Sequence, residues 1–497
     1  MLTYTLTTLG CKVNQYDSCA LAGAFASAGL VPAPAERAPD LVAVNTCCVT
    51  RTAMRKSRQA IRRAVRNAPG AAVVVVGCYS DYNARRLTML LASLNVPPQR
   101  CLVAGHHDDD LPERLGRLVA LLGAPDRSGD RADDYAESQA GVEGDDGWMR
   151  ASSGAACSHA IIRDPAVIKA NRDRAIKGNL SAMRRLGPIR RFFAHQRAFV
   201  KVQDGCDAFC TYCIVPYTRS VVWSRSVDRI VDECRQLVDA GHKEIVLAGV
   251  FLGAFGRDTT VRKRWPTTPA PLIELVRRVS SMDGLWRLRL SSLEPGDLTE
   301  ELLGLWGEVP NLAPHFHLPL QSGSEAVLAG MNRQYTAAAF RRTVRAVRQA
   351  VNDAAITTDV IVGFPGESDD DFRRTLDVAA EAGFAKIHAF PFSAIEGTVA
   401  WTCRHQAPAG GVVKQRLAEL ARLEREMALA YRRRFVGRTI EALVESTVPA
   451  DGLRQGMTDR YLTVRFPAAG GDLTGRVVTV HVDRATEKGL DGTLVGV

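Results

Sequence analysis

Over the first 125 residues, short continuous apolar runs alternate with helical patterns: runs at 4–9, 41–44 and 71–76, helices at 18–28 and 52–67. Continuous apolar runs such as Val73 to Val76 suit a parallel sheet covered on both faces, so residues 1–125 read as an open α/β domain. From Ala198 onward the alternation resumes, with strands expected at 199–202, 244–247, 286–290, 315–318, 356–362 and 386–390 and helices between them, such as 227–240, 272–281 and 336–351. Such βα units predict a parallel partial barrel with its ligands at the strand carboxyl ends. A charged helix over 418–434 leads to short apolar runs at 439–445, 461–466, 476–482 and 492–495, broken by Gly, Pro and Asp, which predict a small β-barrel. The expected fold class is therefore α/β: an open α/β domain (1–125), a partial (βα)6 barrel (195–435) and a small C-terminal β-barrel (436–497). Between the first two, residues 126–194 pass from an acidic Gly/Ser/Ala-rich stretch to a strongly basic one and read as a low-complexity insertion or linker, with a helix around 165–183. Cys157 and His159 lie alone in it and read as neutral.

Composition narrows the function classes. A chain of 497 residues with 46% apolar side chains holds two or three domains with cores of their own. Its formal net charge of +10 suggests a polyanionic partner, nucleic acid before membrane. No apolar run approaches the roughly 20 residues that span a bilayer, and the start lacks a basic region followed by a long apolar one. A cytoplasmic location is expected, where 12 cysteines argue for metal or redox work over disulfides.

The densest cysteine pattern is Cys206-Asp-Ala-Phe-Cys210-Thr-Tyr-Cys213, just after the first strand of the predicted barrel. Three thiolates at this spacing can bind three irons of one cubane cluster and leave the fourth open for chemistry. Structural zinc needs a fourth ligand, and no second pair follows at zinc spacing. A second set is dispersed: Cys11, Cys47 and Cys78 each stand just past a strand of the first domain, where a parallel sheet gathers its ligands. Cys48 adjoins Cys47 and competes for the same role, although neighbours face opposite ways. Past the other barrel strands stand Gly249, the Ser291-Ser292-Leu-Glu294 run, Gln321 and Gly363, all candidate ligand contacts. The helix at 52–67, with Arg51 at its start, carries Arg55, Lys56, Arg58, Arg62, Arg63 and Arg66, which serve either a solvated face or phosphate contact.

The cluster loop, with aromatic Tyr212 before its last cysteine, resembles that of radical S-adenosylmethionine (SAM) enzymes. Thr8-Leu-Gly-Cys-Lys-Val-Asn-Gln-Tyr-Asp-Ser18, Asn45-Thr-Cys-Cys-Val-Thr50, Val76-Gly-Cys78, His317-Leu-Pro-Leu-Gln-Ser-Gly-Ser324, Met331-Asn-Arg333 and Asp359-Val-Ile-Val-Gly-Phe-Pro-Gly-Glu367 resemble the methylthiotransferases of that superfamily. Gly-Cys-Lys-Val-Asn-Gln most resembles the branch acting on N6-threonylcarbamoyladenosine (t6A) in tRNA; the other branches act on isopentenyladenosine or on a ribosomal-protein aspartate. The C-terminal strings resemble the TRAM domain, a small RNA-binding barrel, with Arg454, Arg460 and Tyr461 for phosphate contact and stacking.

The resemblance implies two [4Fe-4S] clusters and SAM. A catalytic cluster would sit on Cys206, Cys210 and Cys213, and an auxiliary one on Cys11, Cys47 and Cys78. Tyr212, Gly249, Ser292, Glu294, Gln321 and Gly363 would contact SAM. The implied partners are tRNA, at its anticodon stem-loop, and an electron donor such as flavodoxin or ferredoxin, with no membrane; no sulfur donor is indicated. The implied reaction is reductive SAM cleavage, hydrogen abstraction from adenosine C2 and methylthio transfer at position 37. A noncatalytic iron–sulfur RNA-binding redox sensor is the reading from another class. One departure stands out: relatives usually carry arginine where this chain has Ile395.

Overall fold

The computed structural model describes residues 1–105, 108, 110–123, 188–190, 192, 196–266, 271–445, 452–467 and 471–497. The helix expected at 165–183, Cys157 and His159 lie outside them.

The first domain is a parallel sheet of order β2-β1-β3-β4-β5, formed by β1 (Thr3–Thr8), β2 (Val31–Pro32), β3 (Leu41–Thr46), β4 (Ala72–Gly77) and β5 (Cys101–Ala104). Its helices are α1 (Lys12–Ser27), α2 (Arg51–Asn67), α3 (Cys78–Ser93) and α4 (Leu111–Gly123). Every position of β3 and β4 is buried, as their unbroken apolar runs require. Helix α1 starts at Lys12, earlier than its apolar period shows, because its first turns bury the polar Asn14, Asp17 and Ser18.

The expected parallel barrel strands are β6 (Arg197–Asp204), β8 (Glu244–Gly249), β9 (Arg287–Leu290), β10 (His315–His317), β11 (Ala355–Val362) and β12 (Lys386–Pro391). Two sheets, β7-β6-β8-β9 and β10-β11-β12, are joined by the parallel bridges Leu288↔Leu312 and Ser292↔His317. The added strand β7 (Trp223–Ser224) runs antiparallel to β6. Barrel strands alternate: residues such as Phe199, Ile245, Leu288, Phe316 and Ile356 join the main apolar core, while Glu244, Arg289, His315 and Thr357 interact with one another or with the C-terminal barrel.

The long helix Gly410–Arg433 packs on β12 and leads to a closed barrel of order β13-β14-β15-β17-β16. Its strands are β13 (Thr439–Val444), β14 (Arg454–Thr458), β15 (Thr463–Phe466), β16 (Val477–Thr486) and β17 (Gly489–Gly496); β14 was not anticipated, since Gln455 and Gly456 interrupt its apolar pattern. The turn between β14 and β15 enters the amino-terminal end of the larger barrel. There the Tyr461 ring lies 4.8 Å from that of His315, beneath the guanidiniums of Arg197 and Arg289 at 4.9 and 4.4 Å. Arg289 also donates to the carbonyls of Asp459 and Thr458, and Arg287 to that of Met457. Tyr461, expected to stack on RNA, is therefore engaged within the fold, while Arg460 bonds to Asp353 and Asp459 and Arg454 to the Gly471 carbonyl.

Candidate active site and auxiliary thiol site

The loop after β6 brings Cys206, Cys210 and Cys213 to the wall of a cavity of about 200 Å³ at the strand carboxyl ends. Tyr212 joins them, and Ser292, Glu294 and Gln321 line it as well. The loop is held by Thr211, whose amide donates to the Met331 carbonyl, and by Asn332, whose side-chain amide donates to the carbonyls of Ala208 and Phe209. Two side chains here are held in left-handed backbone, Phe209 (φ 48°) and Gln321 (φ 61°), which costs about 1–3 kcal/mol each and persists only where surrounding structure enforces it.

Gly249 lies beside this cavity, next to the lining residues Val250 and Phe251, and a Cβ there would meet Gln203 Oε1 at 3.1 Å. Gly363 does not line the cavity. Its φ of +82° and a Cβ position 2.6 Å from Val413 fit it to a turn against the helix Gly410–Arg433.

Two arginines hold the cavity's Glu294, of which Arg333 itself lines the cavity, and sequence reasoning missed their role. Arg333 donates to Cys210 Sγ at 3.1 Å and pairs with Glu294. Arg262 donates to Glu294 Oε2 at 2.8 Å and to Asp297 at 2.7 Å. Burial would raise the Glu294 carboxyl, but Arg333 and Arg262 outweigh it and hold the group below its ordinary value. The signal for Arg333 lay in the Met331-Asn-Arg333 string; for Arg262 nothing local marked it.

The thiols suit a soft metal cluster. All of Cys206, Cys210 and Cys213 are free cysteines. Burial pushes all three thiols up, Cys213 to about 12, so loading metal must displace their protons. Arg333 draws Cys210 back down, and the Val215 amide donates to Cys213 Sγ at 3.4 Å, the kind of bond that steadies a cluster's thiolate.

The second set converges too. Cys11 caps the start of α1, Cys47 follows β3, and Cys78 opens α3 after β4. Each of Cys47 and Cys78 feels the charge of Cys11; burial, as the largest cause, raises Cys47 to about 11 and Cys78 to about 12. At Gly10 (φ +104°) a Cβ would come within 3.1 Å of Cys47 Sγ. The Cys48 thiol donates to the Cys78 carbonyl at 3.2 Å, and Cys48 packs in an apolar cluster with Met54, Tyr79 and Ile395. Ile395 is 1% exposed there and does not line the cavity, so the departure from arginine lies in apolar packing between the first domain and the barrel.

A buried ion quartet ties the two thiol sites together. Arg219, six residues beyond the cluster loop's last cysteine, donates to Asp17 Oδ2 and Asp204 Oδ1, each at 2.7 Å, and to Asn14 Oδ1 at 3.1 Å. Lys201 bridges the same carboxylates at 2.5 and 2.9 Å. Asn14 accepts from Cys78 Sγ at 3.8 Å and donates to the Leu9 and Thr46 carbonyls, beside Cys11 and Cys47. Burial opposes the charge of Arg219, but Asp204, Cys78 and Asp17 hold it protonated.

Comparison with known proteins agrees with this geometry. The Radical SAM superfamily model matches residues 200–379, the model of Uncharacterized protein family UPF0004 residues 3–95, and the TRAM domain model residues 433–495. The chain is 31% identical to the Threonylcarbamoyladenosine tRNA methylthiotransferase MtaB of Bacillus subtilis (strain 168), over 98% of this chain and 94% of that one. It is 32% identical to the protein of the same name from Chlamydia pneumoniae, over 99% and 98%. The tRNA-2-methylthio-N(6)-dimethylallyladenosine synthase of Maricaulis maris (strain MCS10) is 31% identical, over 99% and 97%. SAM and an iron–sulfur cluster are the cofactors that go with the barrel, and three thiols on one cavity wall at its strand ends are the donors such a cluster needs. With relatives this similar along nearly its whole length, the chain belongs to the radical SAM methylthiotransferases.

Proposed function

We propose that this protein is a tRNA methylthiotransferase that converts t6A at position 37, beside the anticodon, to its 2-methylthio derivative. The observation that carries this reading is the pairing of two separate three-thiol sites joined through Asp17, Lys201, Asp204 and Arg219. A single radical step needs one thiol set; sulfur transfer gives the second a purpose. The names of the Bacillus and Chlamydia relatives favour t6A as acceptor, and that of the Maricaulis relative makes isopentenyladenosine the competitor.

In this reading Cys206, Cys210 and Cys213 hold one [4Fe-4S] cluster and Cys11, Cys47 and Cys78 another. When bound, the first supplies reductive cleavage of the SAM sulfonium and the second the sulfur to be transferred. Glu294, Ser292 and Gln321 offer polar groups to the amino acid and ribose ends of SAM, with Glu294 kept ionised by its two arginines. Tyr212 supplies an aromatic wall. Arg333 couples Glu294 to Cys210, so SAM binding and cluster electrostatics share one guanidinium. The exposed basic face of α2, which starts just past Cys47, is a candidate for phosphate contact. Residues 1–125, 195–435 and 436–497 form the auxiliary-site, catalytic and RNA-binding domains of the proposal. An electron donor such as flavodoxin or ferredoxin supplies the reducing equivalent.

The test is mass spectrometry of nucleosides from tRNA bearing t6A or isopentenyladenosine, incubated anaerobically with reconstituted protein, SAM and reductant. A methylthio mass gain on t6A alone is expected; gain on isopentenyladenosine alone moves the substrate to the other branch. Cys210→Ala should bind tRNA and release no 5'-deoxyadenosine. Retained SAM cleavage would refute the catalytic assignment.

A further inference from the structure

One face of the larger barrel's strands carries a polar group that neither thiol site uses. Thr357 pairs with His317 across β10 and β11, and Asp359 with His388 across β11 and β12, so all four side chains leave the sheet on the same side. Ligand atoms of His317, Asp359 and His388 lie within 4.8 Å of one another. His317 Nε2 lies 3.3 Å from Asp359 Oδ2 and its Nδ1 3.0 Å from Thr357 Oγ1. With the Thr357 hydroxyl donating to Nδ1, the ring's one N–H points at Asp359, engages one carboxylate oxygen and leaves the other free. Asp359 is part-exposed and His388 exposed, so both can meet a ligand.

The same face leads to the SAM cavity. The next residue on that face of β11, about 7 Å along the strand, is Ile361, which packs with the cavity's Tyr212 against one apolar cluster. Two residues beyond His317 stands Pro319, which lines the cavity. Backbone contacts fix this step: the lining residues Ser292 and Gln321 bridge His317 and Val360, and the Gln321 amide donates to the Asp359 carbonyl at 2.8 Å.

An acceptor beside a donor is the complement of adenine's N6–H and N7. The free Asp359 oxygen accepts from N6–H, and an N–H of His388 donates to N7. A single N6 substituent turned toward N1 leaves N6–H beside N7, so t6A and isopentenyladenosine present the same edge. C2 lies on the opposite side of the ring. An adenine held by that edge therefore turns C2–H away from Asp359 and His388, with the SAM cavity one layer along the same face. We propose that Asp359 and His388 hold the acceptor adenine by its N6–H and N7 edge, with His317 positioning Asp359, so that C2 meets the SAM cavity. This rests on the acceptor being an N6-modified adenosine of tRNA and adds which side chains hold it, whichever N6 group it carries.

The test uses cluster-reconstituted full-length protein and anticodon stem-loops carrying t6A or isopentenyladenosine, each with a 7-deaza counterpart in which C–H replaces the N7 acceptor. On whichever loop the parent modifies, 7-deaza substitution should lower kcat/KM by about three- to tenfold, the range of one neutral hydrogen bond. His388→Leu should lose a similar factor on the natural loop and nothing further on the 7-deaza loop, and His388→Gln, which keeps an N–H, should regain most of the sensitivity. In Asp359→Asn the His317 N–H claims the amide oxygen and leaves NH2 against N6–H. Methylthiolation should then fall on the order of ten- to a hundredfold, while stem-loop Kd, set by phosphate contacts, moves by less than about threefold and 5'-deoxyadenosine formed per methylthio group rises. Iron content reports cluster loading; where Asp359→Asn loads less iron, the exposed His388 carries the comparison. A 7-deaza penalty that persists in full in His388→Leu overturns the proposal while leaving the reaction standing. Loss of SAM cleavage without RNA in Asp359→Asn makes Asp359 a SAM contact and overturns it too. Zinc or manganese kept through desalting by the parent and lost with Asp359→Asn makes the group a cation site instead. A parent that modifies neither loop removes the substrate reading itself, and the adenine site with it.

Discussion

Arg219→Met tests whether the first domain and the barrel are fastened by the buried quartet. The side chains of Arg219, Asp17, Lys201 and Asp204 are 4, 1, 3 and 3% exposed. With Arg219 intact, two cations face two carboxylates; without it, Lys201 alone faces both, in a site that water does not reach. Removing one partner of a buried pair costs about 3–5 kcal/mol, because the stranded charge keeps its desolvation penalty. The loss of the Asn14 contact adds about 1 kcal/mol. At about 2–4 °C per kcal/mol for a unit of 150–250 residues, the melting transition should fall by roughly 8–24 °C. Calorimetry gives the shift, and limited proteolysis shows whether the first domain is released before the barrel unfolds. A cycle with Asp17→Asn separates attraction from simple loss of packing: the two changes should couple by about 1–3 kcal/mol. A single-variant loss below about 1 kcal/mol, or two losses that simply add, would refute the reasoning.

Three further outcomes follow from the geometry. Cys47→Ala should lose about half the bound iron, whereas Cys48→Ala should keep it and lose only about 1 kcal/mol of packing, and an iron assay with a melt reads both. Buried Glu244 is held below its ordinary value by Arg289, Arg287 and Arg197 against the opposing effect of burial, so its contribution is present above the unfolded value of about 4.3 and lost as pH falls through the lower folded one. Glu244→Gln should therefore be less stable than the parent at pH 7, with the gap closing below about pH 4; a gap independent of pH contradicts this. Tyr461→Ala should cost about 3 kcal/mol and make the C-terminal barrel the first fragment released by protease, while an unchanged digestion pattern would show that the turn is not the anchor.

Much of the architecture was legible because its strands are chemically simple. The runs in β3 and β4 admit little but a buried parallel strand, and β8 and β11 fall within two residues of their expected bounds. The start of α1 was hidden because Asn14 and Asp17 are polar residues buried for partners contributed by distant segments, Arg219 among them. The same holds at the candidate site. Cysteine spacing and strand ends marked the two thiol sets; the Cys48 thiol donates to the Cys78 carbonyl, while Cys47 feels the charge of Cys11. Arg262 and Arg333 reach Glu294 from 32 and 39 residues away, and no local pattern carries such a contact. Tyr461 misled because an aromatic beside arginines in a small barrel has the look of an RNA platform, whereas here the arginines belong to the larger barrel's own strands.

The quartet also bears on how such a chain can diverge. Asp17 comes from the first domain and the other three members from the barrel, so neither half can drift freely at these positions: neutralising any one leaves an odd charge in a dry interface. A first domain grafted from a distant relative should therefore succeed only when its residue facing Arg219 is acidic. The two halves are heritable as a matched pair, and recombination between family members should find its tolerated crossovers outside the span from residue 17 to residue 219.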